Sequence, residues 1–162
     1  MPDFKDFLSC RPDRAAVLNL LRSGTVVHQP RRRSEDLDFY VTDDDGPDED
    51  RLADRVWIEV DVPIPWFGCQ FQPKELGPSH NPADPRQAAH EREREDAIRR
   101  WVAGAGGWLK ALNASPVLAT FDKHVNFLDG WHRAKLAHAA GHATVRTVVG
   151  VRPDVYAREI RG

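Results

Sequence analysis

The sequence predicts a mixed α/β domain, in which a small mixed sheet is flanked by helices. Three observations lead to this class. Residues 56–62 alternate apolar and polar side chains with the two-residue period of a strand. Residues 86–102 carry paired charges beside an apolar edge, as solvent-exposed helices do. Residues 115–151 have the pattern of a strand, a hairpin turn, a second strand, a helix and a third strand, in that order.

Length and composition limit the classes of protein that need to be considered. A chain of 162 residues fits one ordinary domain with an appended segment, and its apolar fraction of 41% is enough for a core. No apolar run approaches the roughly 18 residues that cross a bilayer, and the first residues lack a signal segment. We therefore expect a globular, cytoplasmic protein with no membrane partner. Cys10 and Cys69 are expected to be reduced thiols.

The charge of the chain is small in sum and uneven in distribution. A net charge of −2 argues against a protein that coats nucleic acid by bulk attraction. Acidic residues dominate positions 35–61, whereas basic residues outnumber acidic ones from position 131 onward. Any contact with phosphate or DNA is therefore expected from the carboxyl-terminal third, on the face that carries Arg133, Lys135 and Arg146.

The amino-terminal region, residues 1–54, is predicted to be separate from the main domain, residues 55–162. It contains a short helix over residues 15–21 that is capped near Asp13 and ends at Ser23 and Gly24. Short strands are expected at residues 25–28 and 37–41, with the arginines at 31–33 in a solvated loop. Residues 31–54 are expected to form a mobile acidic connector, with the helix docked on the main domain. The alternative, in which residues 37–41 form an ordered edge strand, stays open.

The main domain is predicted to begin with the strand over residues 56–62. Its apolar face carries valines and Ile58, and its other face presents Trp57, Glu59 and Asp61. A long loop is expected over residues 67–85, where Pro, Gly and polar residues are frequent. The charged helix over residues 86–102 follows and is ended by Gly104, Gly106 and Gly107.

The candidate site is the turn between the second strand of the hairpin and the helix over residues 131–140. A glycine at Gly130 allows close backbone approach, and a helix start offers N–H groups and a positive dipole end to phosphate. His132 and Arg133 lie in that first helical turn, where cations are unfavourable unless an anion is bound. From the residues alone a second interpretation is equally open, in which Asp129 caps the helix and His132 and Arg133 are ordinary surface residues.

The pattern Asp129-Gly130-Trp131-His132-Arg133, with an alanine-rich helix and a valine-rich strand after it, resembles the ParB/sulfiredoxin superfamily. Within it, the strand at residues 56–62 and the same turn look most like plasmid fertility-inhibition proteins of the Osa type. The resemblance implies a mixed α/β fold that holds a nucleotide phosphate at the turn. Activities across the superfamily include ATP or CTP hydrolysis, nuclease action and phosphoryl transfer to small molecules.

The sequence also departs from these relatives. Sulfiredoxins carry a catalytic cysteine in the turn, where this chain has Trp131, so reduction of a sulfinic acid is not expected. Few residues follow position 151, so the helix-turn-helix module of partitioning ParB proteins is not expected. The scattered histidines lack metal-ligand spacing, and no metal ligand is predicted. The indole of Trp131 is a candidate platform for stacking a base.

The resemblance leads to a specific functional expectation. It implies a nucleotide-binding protein that hydrolyses ATP or CTP, with Mg²⁺ as a candidate ion, and that acts as a metal-dependent DNase. The nucleotide would be bound by the five residues of the turn, and catalysis would use Asp129, His132 and Arg133, with Glu59 as a candidate base. The alternative is a non-catalytic protein that inhibits plasmid conjugation or effector transfer, whose partner is DNA or a component of the conjugation or secretion machinery.

Overall fold

The computed structural model describes residues 12–27, 54–70, 85–122 and 125–161. These ranges contain five strands that form one mixed sheet. The strands are β1 (Thr25–Val27), β2 (Val56–Pro63), β3 (Val117–Phe121), β4 (Val125–Asp129) and β5 (Thr144–Val151). Their order across the sheet is β1-β2-β5-β3-β4, so the last strand of the chain occupies the middle of the sheet.

Helices account for most of the remaining described residues. They are α1 (Arg14–Arg22), α2 (Pro85–Ala105), α3 (Trp108–Ala114), α4 (Trp131–Ala139) and α5 (Pro153–Val155), with a π-helical turn after α5 at Tyr156–Ile160. A 3₁₀ segment at Ile64–Gln70 follows β2 directly. The predicted mixed α/β class is therefore confirmed. None of the described helices is both long enough and apolar enough to cross a membrane.

The pairing of the strands explains the position of α4. Strands β3 and β4 form an antiparallel hairpin, and β5 runs parallel to β3 on the other side. Parallel neighbours need a crossover, which β4 and α4 supply. On the side away from β3, β5 pairs antiparallel with β2 along eight residue pairs, from Val56 opposite Val151 to Pro63 opposite Thr144.

The main core lies on one face of the sheet, where side chains of the strands meet α1, α3, α4 and the segment after α5. Alternation along β2 puts Ile58, Val60 and Val62 on this face, as the sequence predicts. Branched aliphatic and small side chains fill the space between sheet and helices. The buried residues of this cluster include Val17, Leu18, Leu21, Phe67, Leu112, Val117, Ala119, Ala134, Ala137, Val145, Val149 and Ile160.

The opposite face of the sheet carries a smaller apolar cluster of Trp57, Leu118 and Val148. Trp57 lies across Gly150 of the neighbouring strand, since a Cβ built at Gly150 would be only 2.7 Å from the indole ring. Glycine is required there because any side chain would collide with the ring. Glu59 lies on the same face as Trp57 and is 7% exposed.

The described part of the amino-terminal region belongs to the same folded unit as the rest. The Asp13 carboxylate accepts a hydrogen bond of 2.7 Å from the Ala16 N–H and caps α1, and Ser23 ends the helix, which confirms the predicted helix. Strand β1 pairs with β2, and α1 contributes Val17, Leu18 and Leu21 to the main core. Residues 12–27 therefore share one sheet and one core with the described residues of the main domain, 55–70, 85–122 and 125–161. The strand predicted at 37–41, the arginines at 31–33 and residues 42–53 of the predicted connector lie outside the described residues.

Two helices were not predicted from the sequence. Helix α3 occupies residues between the glycines and β3, and α5 with its π-helical turn follows β5. Helix α2 also runs through Gly104 and ends at Ala105, because Gly106 and Gly107 take positive φ angles of 91° and 119°. Within the predicted long loop, the 3₁₀ segment extends to Gln70, and residues 71–84 lie outside the described part of the chain.

Candidate functional site

The predicted turn joins β4 to α4 through a single residue. Strand β4 ends at Asp129, Gly130 follows with φ +118° and ψ 13°, and α4 begins at Trp131. A side chain at Gly130 would be strained by this backbone conformation, and its Cβ would lie 2.9 Å from Val117 Cγ2. The backbone path from strand to helix therefore depends on glycine, as the sequence predicts.

The amino terminus of α4 begins at a residue that cannot cap it with a side chain. The N-cap position is Gly130, and the first helical hydrogen bond runs from the Ala134 N–H to the Gly130 carbonyl at 2.9 Å. The alternative in which Asp129 occupies the N-cap position is therefore wrong. The N–H groups of residues 131–133 have no acceptor one turn earlier in the helix, and they lie at its positive dipole end. Such a helix start is suited to receive an anion.

Arg133 holds this turn from the inside of the protein. The residue is 8% exposed, and its Nη1 donates to the Ser115 carbonyl, to Ser115 Oγ at 3.0 Å and to the Pro116 carbonyl at 3.1 Å. Its Nη2 lies 3.2 Å from the Cβ position at Gly130. The guanidinium thus fastens the first turn of α4 to the junction of α3 and β3. Arg133, which the sequence analysis expects to bind the nucleotide, is therefore a buried side chain whose hydrogen-bond acceptors lie within the protein.

His132 and Lys135 face a carboxylate that the sequence analysis did not single out. Glu95 of α2 places Oε1 2.9 Å from Lys135 Nζ and 3.9 Å from His132 Nδ1. Its other oxygen lies 3.8 Å from Arg99 Nη2, one turn further along α2. The side chains of Glu95 and His132 are 15% and 12% exposed and are largely enclosed between α2 and α4, whereas those of Lys135 and Arg99 are 41% and 56% exposed.

Glu95 was missed because it stands within a run of alternating charges. Such runs are typical of solvated helix faces, and nothing in the spacing of residues 90–96 distinguishes one glutamate from the next. One feature of the sequence could have indicated a partner such as Glu95. His132 and Lys135 are three residues apart, on one side of the predicted helix, and two neighbouring basic side chains favour a nearby carboxylate.

Glu59 lies on the sheet at a distance from the turn. The strand register forms one row across four strands, in which Glu59 is opposite Val148, Val148 is beside Leu118, and Leu118 is opposite Asp129. Three strand spacings separate the ends of this row, about 14 Å in all. The fold therefore keeps Glu59 and Asp129 in one row but brings them into no direct contact. A ligand that touched both would have to span that distance.

Two of the three basic residues expected to face DNA are engaged with carboxylates. Lys135 pairs with Glu95, and Arg146 Nε lies 3.0 Å from Asp61 Oδ1 across the β2–β5 pair. Asp61 is thus a partner of Arg146 on the sheet. Both pairs reduce the positive potential of this face, since each cation is matched by a neighbouring anion.

No metal centre is formed by the parts of the chain that the structure describes, where no three His, Cys, Asp or Glu residues are arranged around a common point. The candidate site in residues 12–27, 54–70, 85–122 and 125–161 consists instead of backbone N–H groups with basic side chains behind them. Chemically, this arrangement suits an anion with several oxygen acceptors.

The chain was compared with the models of known protein families, with curated proteins and with solved structures, and none of them matches it. The geometry of the turn and its surroundings therefore carries the functional argument.

Proposed function

We propose that this chain binds a nucleoside triphosphate, ATP or CTP, at the amino terminus of α4, as a nucleotide-binding protein of the ParB/sulfiredoxin type. One observation carries the proposal: the helix begins directly after a strand, and its N-cap residue is Gly130, which has no side chain of its own to cap the first turn. The phosphate oxygens would accept hydrogen bonds from the N–H groups of residues 131–133. The indole of Trp131 is the candidate platform for the base.

Arg133 acts in this proposal as a positioning residue. Its hydrogen bonds to Ser115 and Pro116 set the direction in which the first turn of α4 points. A helix start held by a buried guanidinium is preorganised, so little conformational entropy is lost when the ligand binds. The buried positive charge also adds to the field that attracts phosphate.

Hydrolysis is the catalytic part of the proposal. Mg²⁺ would accompany the nucleotide and neutralise charge on its phosphates. Asp129 and His132 are the proposed catalytic residues because they lie one residue before and two residues after Gly130, next to the proposed phosphate position. Glu59 is a proposed base only for a ligand that extends across the sheet, given the three strand spacings between it and Asp129. Cleavage of DNA by the same residues with a metal ion is the further activity that the resemblance implies.

A non-catalytic interaction protein is the second candidate function. It is favoured by the way the basic side chains near the turn are engaged: Arg133 with Ser115 and Pro116, and Lys135 with Glu95. When the basic side chains near the turn are engaged within the protein, they are not available to a reacting phosphate, which suits a protein that binds a partner without turnover. The proposed partners are a component of a conjugation or secretion system, or DNA.

Calorimetric titration of the full chain with Mg²⁺ and ATP, CTP or GTP tests the binding proposal. The informative pair of variants is Trp131→Ala and Trp131→Pro, because both remove the indole and only proline also removes the backbone N–H. Proline fits the first helical position, but the residue before a proline favours extended ψ and Gly130 has ψ 13°, so circular dichroism and the melting temperature of both variants are measured alongside. We expect the proline variant to bind about tenfold more weakly than the alanine variant, the effect of one charge-assisted hydrogen bond. Absence of binding by all three nucleotides at millimolar concentration would contradict the proposal.

Turnover is tested separately by phosphate release and plasmid nicking. The catalytic proposal expects His132→Ala to lower both rates well below those of the unmodified chain. Equal rates in the two proteins would remove His132 from the chemistry. Nucleotide binding without any phosphate release or nicking would favour the non-catalytic function.

A further inference from the structure

Glu95 is the only carboxylate that the described residues place against Lys135, and it is the meeting point of three basic side chains. Lys135, Arg99 and His132 all approach it within 3.9 Å, from two different helices. Arg99 has a second partner in Asp96 at 3.0 Å. The charge of Lys135 is thus balanced chiefly by Glu95.

The position of this pair matters because it lies beside the proposed phosphate site. Lys135 and His132 are three residues apart on α4, and His132 belongs to the first helical turn. A lysine this close to a helix amino terminus would add to the attraction of a polyphosphate. Glu95 offsets that contribution and places a negative charge 3.9 Å from His132, in the first turn of the helix.

We propose that Glu95 is an internal counter-ion that limits how much negative charge the α4 site accepts, and so determines its preference among nucleotides of different phosphate number. The inference rests on the proposed nucleotide binding. A triphosphate must compete with the Glu95 carboxylate for Lys135, whereas a monophosphate held by the backbone N–H groups alone does not. Glu95 therefore weakens triphosphate binding more than monophosphate binding.

The burial of Glu95 distinguishes this contact from an ion pair that is exposed on both sides. The Glu95 side chain is 15% exposed and that of Lys135 is 41% exposed, and the salt bridge joins two elements that are remote in sequence. Charges that are partly removed from water interact over several ångströms with little screening. Glu95 can therefore act on a ligand that it does not touch.

The test compares Glu95→Gln with Glu93→Gln, a matched control two residues away on the same helix, where the glutamate is exposed. ATP and AMP are titrated into the full chain at low and high salt. We expect Glu95→Gln to bind ATP about three- to tenfold more tightly than the unmodified chain, with a smaller gain for AMP, and Glu93→Gln to change neither. Adding Lys135→Met to Glu95→Gln should abolish the gain, because the gain acts through the released ammonium group.

Each outcome has one meaning. Unchanged or weaker ATP binding by a folded Glu95→Gln protein overturns the inference and leaves the proposed function standing. An equal gain in ATP affinity with Glu93→Gln would mean that the net charge of the chain, rather than the position of Glu95, is responsible, and would also overturn the inference. ATP binding by Glu95→Gln, with no binding of any nucleotide by the unmodified chain, contradicts the proposed function and, with it, the inference. Failure of all variants to bind either nucleotide defeats the proposed function and, with it, the role of Glu95. The melting temperature of each variant reports folding independently.

Discussion

The two ends of β3 are fastened to the rest of the protein by different interactions. At its start, Arg133 is buried and donates to the neutral oxygens of Ser115 and Pro116. Beyond its end, Asp122 accepts two hydrogen bonds from Arg55, at 3.2 and 3.3 Å. Arg14 lies over the ring of Phe121 at 5.3 Å and pairs with Glu159 on the π-helical turn.

The difference teaches which end of the strand tolerates change. Exposed ion pairs are individually weak and are screened by salt, whereas a buried guanidinium that loses its place leaves carbonyl groups without donors. We therefore expect the start of β3, which supports the candidate site, to be sensitive to substitution and insensitive to salt and pH. At the end near Asp122 the Arg55 side chain is also buried, at 6% exposed, so the salt-sensitive part of that end is the exposed pair of Arg14 and Glu159.

The largest effect is expected from Arg133→Met, which keeps an apolar stem but removes the donors to Ser115 and Pro116. Loss of a buried charged donor should lower the free energy of unfolding by about 3 kcal/mol, as measured by urea denaturation. The control is Arg158→Met, since Arg158 is 75% exposed and pairs within its own helical turn with Asp154. Equal losses for the two variants would show that the buried arginine has no special role.

The next effect is expected from Gly130→Ala. The alanine must adopt φ +118° and bring its Cβ within 2.9 Å of Val117, so we expect a loss of about 2 kcal/mol in the free energy of unfolding. Gly104→Ala is the matched control, because Gly104 is in α2 with open space around it and should gain up to roughly 1 kcal/mol from better helix propensity. A harmless Gly130→Ala would disprove the requirement for glycine at the turn.

A smaller effect is expected at the other end of the strand from Arg14→Ala. The pair with Glu159 is partly exposed, and the contact with Phe121 adds a modest cation–π attraction. We expect a loss of about 1 kcal/mol at low salt. The loss should shrink when the melting curve is repeated at 1 M NaCl, and a loss that is independent of salt would mean that packing, rather than charge, is responsible.

The smallest effect is the pH dependence of Glu159. The side-chain hydrogen bond from Arg14 holds the pKa of this carboxyl below its ordinary value of 4.5. A lowered pKa in the folded state stabilises the protein above about pH 4.5 and ceases to do so as pH falls through the folded-state pKa. Glu159→Gln should therefore melt below the unmodified chain at pH 7 and together with it near pH 2. A constant gap across this range would contradict the assignment.

Local patterns predicted the elements around the site well. Asp13 as a helix cap, the alternation along β2 and Gly130 between strand and helix each depend on neighbours in sequence, and the structure shows all three. The short helix α3 was missed because Trp108 to Ala114 has no capping side chain at Gly107. Its evidence in the sequence is one turn of apolar residues, too little to define a period.

The contacts that give the site its character could not be predicted in the same way. The bonds from Arg133 to Ser115 and Pro116, and the pair of Glu95 with Lys135, join residues that only the tertiary fold brings together. The placement of Glu59 three strands from Asp129 likewise depends on strand order, since β5 enters the sheet between β2 and β3. A sequence pattern identifies the residue types of a site, and topology decides which of them meet.

The central position of β5 has a consequence for how the chain acquires its fold during synthesis. Among the described strands, β5 is the one that pairs with both β2 and β3, and it is synthesised after them. Until residues 144–151 leave the ribosome, the edges of β2 and β3 that β5 will cover are open, and open strand edges favour pairing with other nascent chains. Pairing of β5 covers both edges, so we expect the described sheet to be completed only when its last strand has been made.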